Sequence, residues 1–348
     1  MKVINVRNVH HALPLALHEL KQEGIDRESR NGPVRVFKTP VTTVYQNPTE
    51  RVLFWAERDA NPFFHFFESL WMLAGQNDVP FLAYFVKRMV TYSDYGKTFH
   101  GAYGHRWRQH FKDKDGNKID QLAIVIKALK ENPDDRRCVV QMWDSSVDLG
   151  KQGKDFPCNT QVIFSRTAEG ALDMTVCNRS NDMVWGCYGA NAVHFSFLQE
   201  FVAAAIGCPV GTYYQMSNNL HAYKNTLEQV EMLATKSNYP YEEDIDCHYA
   251  NGTVEPYPLM QTPVLEWTQD LGMFMECGPI PGLRDPFFRR VVTPLWHAYA
   301  AFKQGKGVDK YDTALEILQQ CKATDWKLAC EEWLQRRKAK FLAGGSNE

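Results

Sequence analysis

No apolar run in these 348 residues approaches the ~20 that a membrane-spanning helix needs, so no transmembrane segment is expected. Nine cysteines are present, but none forms a Cys-x-x-Cys pair, and no clustered Cys/His spacing suggests a metal site. Internal repeats, low-complexity tracts and clear linkers are missing too. The formal net charge is −2, so no global field draws the chain to nucleic acid or anionic lipid, and DNA binding is not expected. The opening residues, Met1-Lys-Val-Ile-Asn-Val-Arg-Asn, are too polar for the apolar part of a signal peptide. Together with the odd cysteine count, this points to a reducing cytoplasm where most cysteines act as small core hydrophobes.

What is present is a hydrophobic content of 44%, enough for one large core or two modest ones. Residues 12–24 predict a helix and Val34–Lys38 a strand, with Arg30 on the Asn-Gly-Pro loop between them. Residues 61–75, NPFFHFFESLWMLAG, read as a helix between a proline and a glycine, apolar nearly all round yet carrying Glu68. A carboxylate so enclosed costs several kcal/mol unless it is paired, hydrogen-bonded or protonated, which marks Glu68 as a functional carboxyl. Residues 91–110 read as more loop than helix, with Tyr103 and Trp107 serving either packing or ligand contact. A helix from Gln121 to Asn132 leads to Arg136-Arg137 and an apolar strand, Cys138–Trp143. Strands follow at Thr160–Arg166 and Ala171–Asn178, then a loop at Met183–Gly189, a long helix at Asn191–Ile206 and a strand at Val210–Met216. Helical patterns over 226–235, 286–304, 312–323 and 326–341 fill the rest, and Arg336-Arg-Lys-Ala-Lys reads as a solvated helix end. The expectation is one α/β chain of the α+β kind: a single domain over 1–348, with 225–348 as a helical extension.

The chemistry concentrates between Asp134 and Tyr223. Cys158 follows Pro157, which stiffens its backbone. Arg30, Arg136, Arg137 and Arg179 would stabilise a thiolate and lower the thiol pKa. With the Ser180 hydroxyl, the same arginines could clamp a phosphate dianion. A cysteine protease would pair the thiol with a histidine, such as His194 or His221, but that would leave the arginines without a purpose.

Pro157-Cys158, Arg136-Arg137, Arg179-Ser180-x-Asp182 and His221-x-Tyr223 resemble the thymidylate synthase family, which includes the pyrimidine-nucleotide hydroxymethylases. Phe67-Glu68-Ser-Leu-Trp71 resembles its catalytic-glutamate helix, Arg30-Asn-Gly its phosphate-binding loop, and Gly101-Ala-Tyr103-Gly-His-Arg-Trp107-Arg a further segment. The match covers roughly residues 28–225 in the family's own order. It implies a three-layer fold with a mixed sheet and a long central helix. It also implies covalent attack of Cys158 on C6 of a pyrimidine deoxynucleotide, with 5,10-methylenetetrahydrofolate as one-carbon donor and Glu68 relaying protons through water. Arg30, Arg136, Arg137, Arg179 and Ser180 would hold the 5′-phosphate, the paired arginines coming from the second subunit of a homodimer. His221 and Tyr223 would bond the sugar, Asn191 would read the base, and Tyr103 would lie beside the substrate. Asp182, Trp71 and Tyr92 would contact the folate. The cytoplasm so implied is that of a bacterium or of a phage-infected host.

Three departures bear on the final step. Asn159 follows the cysteine where thymidylate synthases usually carry histidine; Tyr92 stands where they usually have a folate-packing tryptophan; and the terminal Ala-Gly-Gly-Ser-Asn-Glu is polar. A wetter pocket favours water over hydride as the last reactant. Hydroxymethylation is therefore the leading expectation, with dUMP favoured and dCMP open. Reductive methylation of dUMP is the alternative, and a non-catalytic nucleotide- or RNA-binding relative is a reading from another class.

Overall fold

Along Leu172–Asn178 every second residue is buried, and Val41–Tyr45 repeats the pattern. β-branched and apolar side chains at period two give each strand a face for the core. The computed structural model describes residues 1–236, 245 and 247–344; the last four positions of the polar chain end lie outside the described residues. The chain divides into two compact units, one of Met1–Arg51 with Glu68–Asp246, the other of Val52–Phe67 with Cys247–Glu348.

The first unit contains ten strands among the described residues: β1 (Lys2–Val6), β2 (Ile25–Arg27), β3 (Val34–Val36), β4 (Val41–Tyr45), β5 (Val139–Gln141), β6 (Asn159–Arg166), β7 (Leu172–Asn178), β8 (Asn181–Asp182), β9 (Val210–Ser217) and β10 (Leu220–Tyr223). Six form a mixed sheet in the order β1-β4-β9-β7-β6-β5, and four a smaller one in the order β2-β3-β10-β8. β6 and β7 are antiparallel, joined through a turn in which Gly170 takes φ +86. β8 and β10 are parallel, setting His221 opposite Asp182. The helix Asn191–Ile206 is buried along most of its length and stops at Gly207, which adopts φ +74 and donates to Ala203 and Ala204 carbonyls.

The second unit is helical, with Val264–Cys277, Thr293–Gln304, Asp309–Leu318 and Thr324–Leu342 around an aromatic core. Phe66 meets Trp326 edge-on at 5.1 Å, and Phe67 stacks on Phe274 at 5.9 Å. The basic run at its end is less solvated than its composition suggests: Arg336 and Arg337 both bond the Asp59 carboxylate.

Two segments read as loops are helical. Tyr103–His110 winds into a short α-helix continued by a π-turn, because Gly104 packs on Met72: a Cβ there would sit 2.0 Å from the Met72 carbonyl oxygen. Met183–Ala190 is likewise wound, with a kink at Tyr188 and Gly189, and begins where the Asp182 carboxylate accepts the Trp185 N–H at 2.8 Å.

Candidate active site

The β6–β7 ladder brings Cys158 and Arg179 together. Cys158 immediately precedes β6 and Arg179 immediately follows β7, while Asn159 and Asn178 pair between them. The Arg179 N–H donates to the Cys158 carbonyl at 3.0 Å, and its Nε donates to the Pro157 carbonyl at 2.9 Å. The far end of the guanidinium, Nη2, then lies 3.9 Å from the Cys158 sulfur. On the other side, the Tyr103 hydroxyl accepts the Cys158 N–H at 3.3 Å.

The expectation of a depressed thiol pKa is corrected here. Burial pushes the Cys158 thiol up, and the Arg179 and Arg30 charges bring it only part of the way back. The cations are present, but desolvation of the sulfur outweighs them.

The segment before Cys158 is tied down by two aspartates. Asp94 pairs with Lys151 and accepts the Lys154 N–H at 2.9 Å; the Lys151 bond and that N–H hold its carboxyl at about 2. Asp155 accepts the N–H groups of His100 and Gly101 at 2.6 and 2.9 Å. A Cβ on Gly101 would stand 2.9 Å from that same carboxylate, so glycine is required at this approach.

Beside Arg179 opens a cavity of about 720 Å³ whose wall includes Arg30, Arg179, Ser180, His221 and Tyr223. Arg30 donates to the Gly153 carbonyl at 3.0 Å, and its guanidinium stands 5.6 Å from the Phe156 ring centre. His221 Nδ1 lies 2.9 Å from Asn219 Oδ1, and the His221 ring meets Tyr223 edge-on at 5.3 Å. Cys158 is in contact with Arg179 but is not itself in this wall, and neither are Arg136 and Arg137. Both of those arginines are exposed; Arg137 has an 89% accessible side chain and bonds Asp135 at 2.7 Å.

The remaining predicted residues are not part of this wall. Glu68 Oε2 lies 3.1 Å from His194 Nε2, with side chains 13% and 3% exposed. Asn191 donates to Asn181 Oδ1 at 3.0 Å, and Gly186 leaves room for the pair, since a Cβ would be 2.8 Å from that oxygen. Asp182 is half-buried and Tyr92 is 50% exposed. Trp71 is buried, with its indole N–H donated to Asp78 at 2.9 Å. Asn159 is fully buried.

One ionic network escaped the sequence reading. Arg106 donates to both Asp148 oxygens, at 2.6 and 2.9 Å, and to the Met142 carbonyl at 2.7 Å, while His100 Nε2 lies 2.6 Å from Asp148. Both charged side chains of the Arg106–Asp148 pair are fully buried. Burial pushes the Asp148 carboxyl up, but the Arg106 hydrogen bond and its companions outweigh that and hold it below the ordinary value. Nothing in the pattern Arg106-Trp-Arg108 distinguishes the buried arginine from its neighbour.

The family profile described as Thymidylate synthase matches residues 16–247. The chain belongs to the thymidylate synthase family. Its fold is that of the family, with the mixed sheet and long helix expected from the sequence. The chain is 57% identical to a deoxyuridylate hydroxymethyltransferase of Pseudomonas phage M6 over 344 residues, covering 99% of this chain and 96% of that relative. A protein of the same name from Bacillus phage SP01 is 40% identical over 190 residues, which is 53% of this chain and 49% of the relative. A thymidylate synthase of Symbiobacterium thermophilum is 33% identical over 186 residues, 50% of this chain and 63% of that enzyme. Among the described residues no helix is long and apolar enough to cross a membrane, and no group of His, Cys, Asp or Glu side chains is arranged to hold a metal ion.

Proposed function

We propose that this thymidylate synthase-family enzyme transfers a one-carbon unit to C5 of dUMP and completes the reaction with water, yielding the 5-hydroxymethyl nucleotide. The observation that carries this reading is the double role of Arg179, which touches the Cys158 sulfur and also lines the cavity with Arg30, Ser180, His221 and Tyr223. A nucleotide phosphate gripped by Arg30, Arg179 and Ser180 would bring the pyrimidine to the sulfur. The near-complete likeness to a phage protein named for deoxyuridylate hydroxymethylation supports water as the last reactant.

In this reading the Cys158 thiolate adds to C6 and makes C5 nucleophilic. The thiol loses its proton on engaging the nucleotide, since burial holds its pKa up in the free protein. Glu68, whose Oε2 lies 3.1 Å from His194 Nε2, moves protons near the base. The bond from Asn191 to Asn181 uses one amide hydrogen and leaves the oxygen and the second hydrogen, a pair that matches uracil N3–H and O4. That match favours dUMP over dCMP. His221 and Tyr223 bind the sugar 3′-hydroxyl.

5,10-Methylenetetrahydrofolate, the donor the family implies, supplies the one-carbon unit when bound. The half-buried Asp182 carboxylate and the exposed ring of Tyr92 are open to such a ligand, whereas Trp71 is buried with its indole N–H on Asp78 and would act through that contact. Arg136 and Arg137, exposed and outside their own cavity wall, would complete the phosphate site of a second copy in a homodimer.

Incubation with dUMP or dCMP and methylenetetrahydrofolate, followed by mass analysis, tests the reading. The expected products are 5-hydroxymethyl-dUMP and tetrahydrofolate; dTMP with dihydrofolate as the only products would replace it with reductive methylation.

A further inference from the structure

Beside the cysteine, three polar atoms of two register-paired side chains are buried without a hydrogen bond of ordinary geometry. Asn159 of β6 and Asn178 of β7 are register partners, 0% and 3% exposed. Neither Oδ1 nor Nδ2 of Asn159 makes a hydrogen bond of ordinary geometry, and neither does Asn178 Oδ1; Asn178 Nδ2 donates to the Met216 carbonyl at 3.1 Å. Native interiors seldom leave an amide in this state unless a ligand or an ordered water meets it. The register shifts between Asn159 and Gln161, a bulge of the kind that re-aims side chains next to reactive centres. The Tyr103 hydroxyl faces the same stretch: it accepts the Cys158 N–H and is approached by the Asn159 amide, so it stands beside the same water position.

We propose that Asn159, completed by Asn178 across the ladder, holds the water molecule whose oxygen becomes the product hydroxyl. The proposal rests on the hydroxymethylation reading above and names the residue that would direct its last step. A held water needs two to four polar partners. The two amides offer two acceptors and one donor, and a water whose protons point at acceptors presents a lone pair to an electrophile.

The step balances without an oxidant or reductant. When the nucleotide carries an exocyclic methylene at C5 and sulfur at C6, the water oxygen bonds to the methylene carbon. The displaced electron pair passes through C5 to the C4 carbonyl oxygen. Its return restores the C5–C6 double bond and breaks the C6–S bond. One water proton ends on the departing sulfur, which regenerates the Cys158 thiol. Asn159 is thus a positioning residue, acting through the water.

The test follows tritium release from 5-tritiated dUMP, hydroxymethyl product, and incorporation of oxygen-18 from labelled water, using the full-length protein. For the wild type, release and product match, and the product carries the label. For Asn159→Leu, first-turnover tritium release should stay within about threefold of wild type while hydroxymethyl product falls at least about tenfold. A nucleotide adduct on Cys158 should then accumulate in the intact-protein mass. The melting temperature should change little, because the amide makes no hydrogen bond of ordinary geometry beyond its approach to the Tyr103 hydroxyl. Asn159→Ser, which keeps a hydroxyl, should show the same imbalance in milder form, and it decides the matter if the leucine variant does not fold. Equal losses of release and product in both variants, or unchanged product, would overturn the proposal. A wild type that makes only dTMP would instead remove the hydroxymethylation reading, and this proposal with it.

Discussion

Arg179 binds Cys158 at both ends: its backbone N–H donates to the Cys158 carbonyl at 3.0 Å, and its guanidinium returns to 3.9 Å from the sulfur. The backbone bond belongs to the ladder and fixes where the side chain starts. The guanidinium then serves sulfur and cavity together. Because burial holds the thiol pKa above its ordinary value, alkylation of Cys158 by iodoacetamide should be slower at pH 7 than that of the exposed Cys277, and should rise through alkaline pH. Arg179→Ala removes the largest opposing charge and should shift that rise to still higher pH. Peptide mass mapping of the two cysteines across a pH series checks both statements; a Cys158 that reacts fastest at pH 6 would contradict them.

Cys158→Ala should abolish turnover by several orders of magnitude while dUMP binding, read by calorimetry, stays near wild type, since the cavity wall does not include the sulfur. Undiminished turnover in this variant would mean that the reaction does not pass through an adduct on Cys158.

Glu68→Gln should lower kcat by about 10²- to 10⁴-fold, the span typical of a lost proton relay, with little change in the KM for dUMP. The amide keeps the shape of the carboxyl and can still meet His194, which lies 3.1 Å away. Steady-state kinetics decides this: a rise in KM at constant kcat would assign Glu68 to binding.

The parts legible in the sequence are those where local pattern and tertiary role agree. Gly207 ends the helix Asn191–Ile206 because only a left-handed residue suits that stop, and Pro62 with Gly75 brackets the helix that carries Glu68. Five predicted ligand residues, Arg30, Arg179, Ser180, His221 and Tyr223, line one cavity because the β6–β7 and β3–β10 ladders bring the segments that carry them together. The helical winding of Tyr103–His110 is hidden, because the glycines of residues 91–110 signal a loop and only contact with Met72 reveals why Gly104 is needed. The grouping of Val52–Phe67 with Cys247–Glu348 depends on long-range aromatic packing that no local pattern encodes. The sign of the Cys158 shift is not legible in the sequence, which shows charges but not the depth at which the sulfur lies.

Arg136 and Arg137 predict subunit complementation. Arg137→Ala and Cys158→Ala proteins should each be nearly inactive alone. Mixed under conditions that exchange subunits, they should recover about a quarter of wild-type activity, because half the dimers then hold one intact site. No recovery despite demonstrated exchange would place Arg137 in service of its own subunit, where its bond to Asp135 already holds it.

The buried Arg106–Asp148 pair sets the stability of the segment leading into the site. Arg106→Met leaves Asp148 buried without its main partner, which should cost about 3–5 kcal/mol in urea unfolding. Asp148→Asn should be harmful by the reverse logic, and the double change Arg106→Met/Asp148→Leu should cost less than the sum of the singles, because no orphaned charge remains. The Asp148 carboxyl sits below its ordinary value in the folded protein, so its stabilising share is full above the unfolded value near 3.9 and is lost as pH falls through the lower folded value. The stability gap between wild type and Asp148→Asn should therefore narrow as pH falls below about 4. A gap that widens in acid would mean that Asp148 is protonated in the native state and that Arg106 is neutralised by some other group.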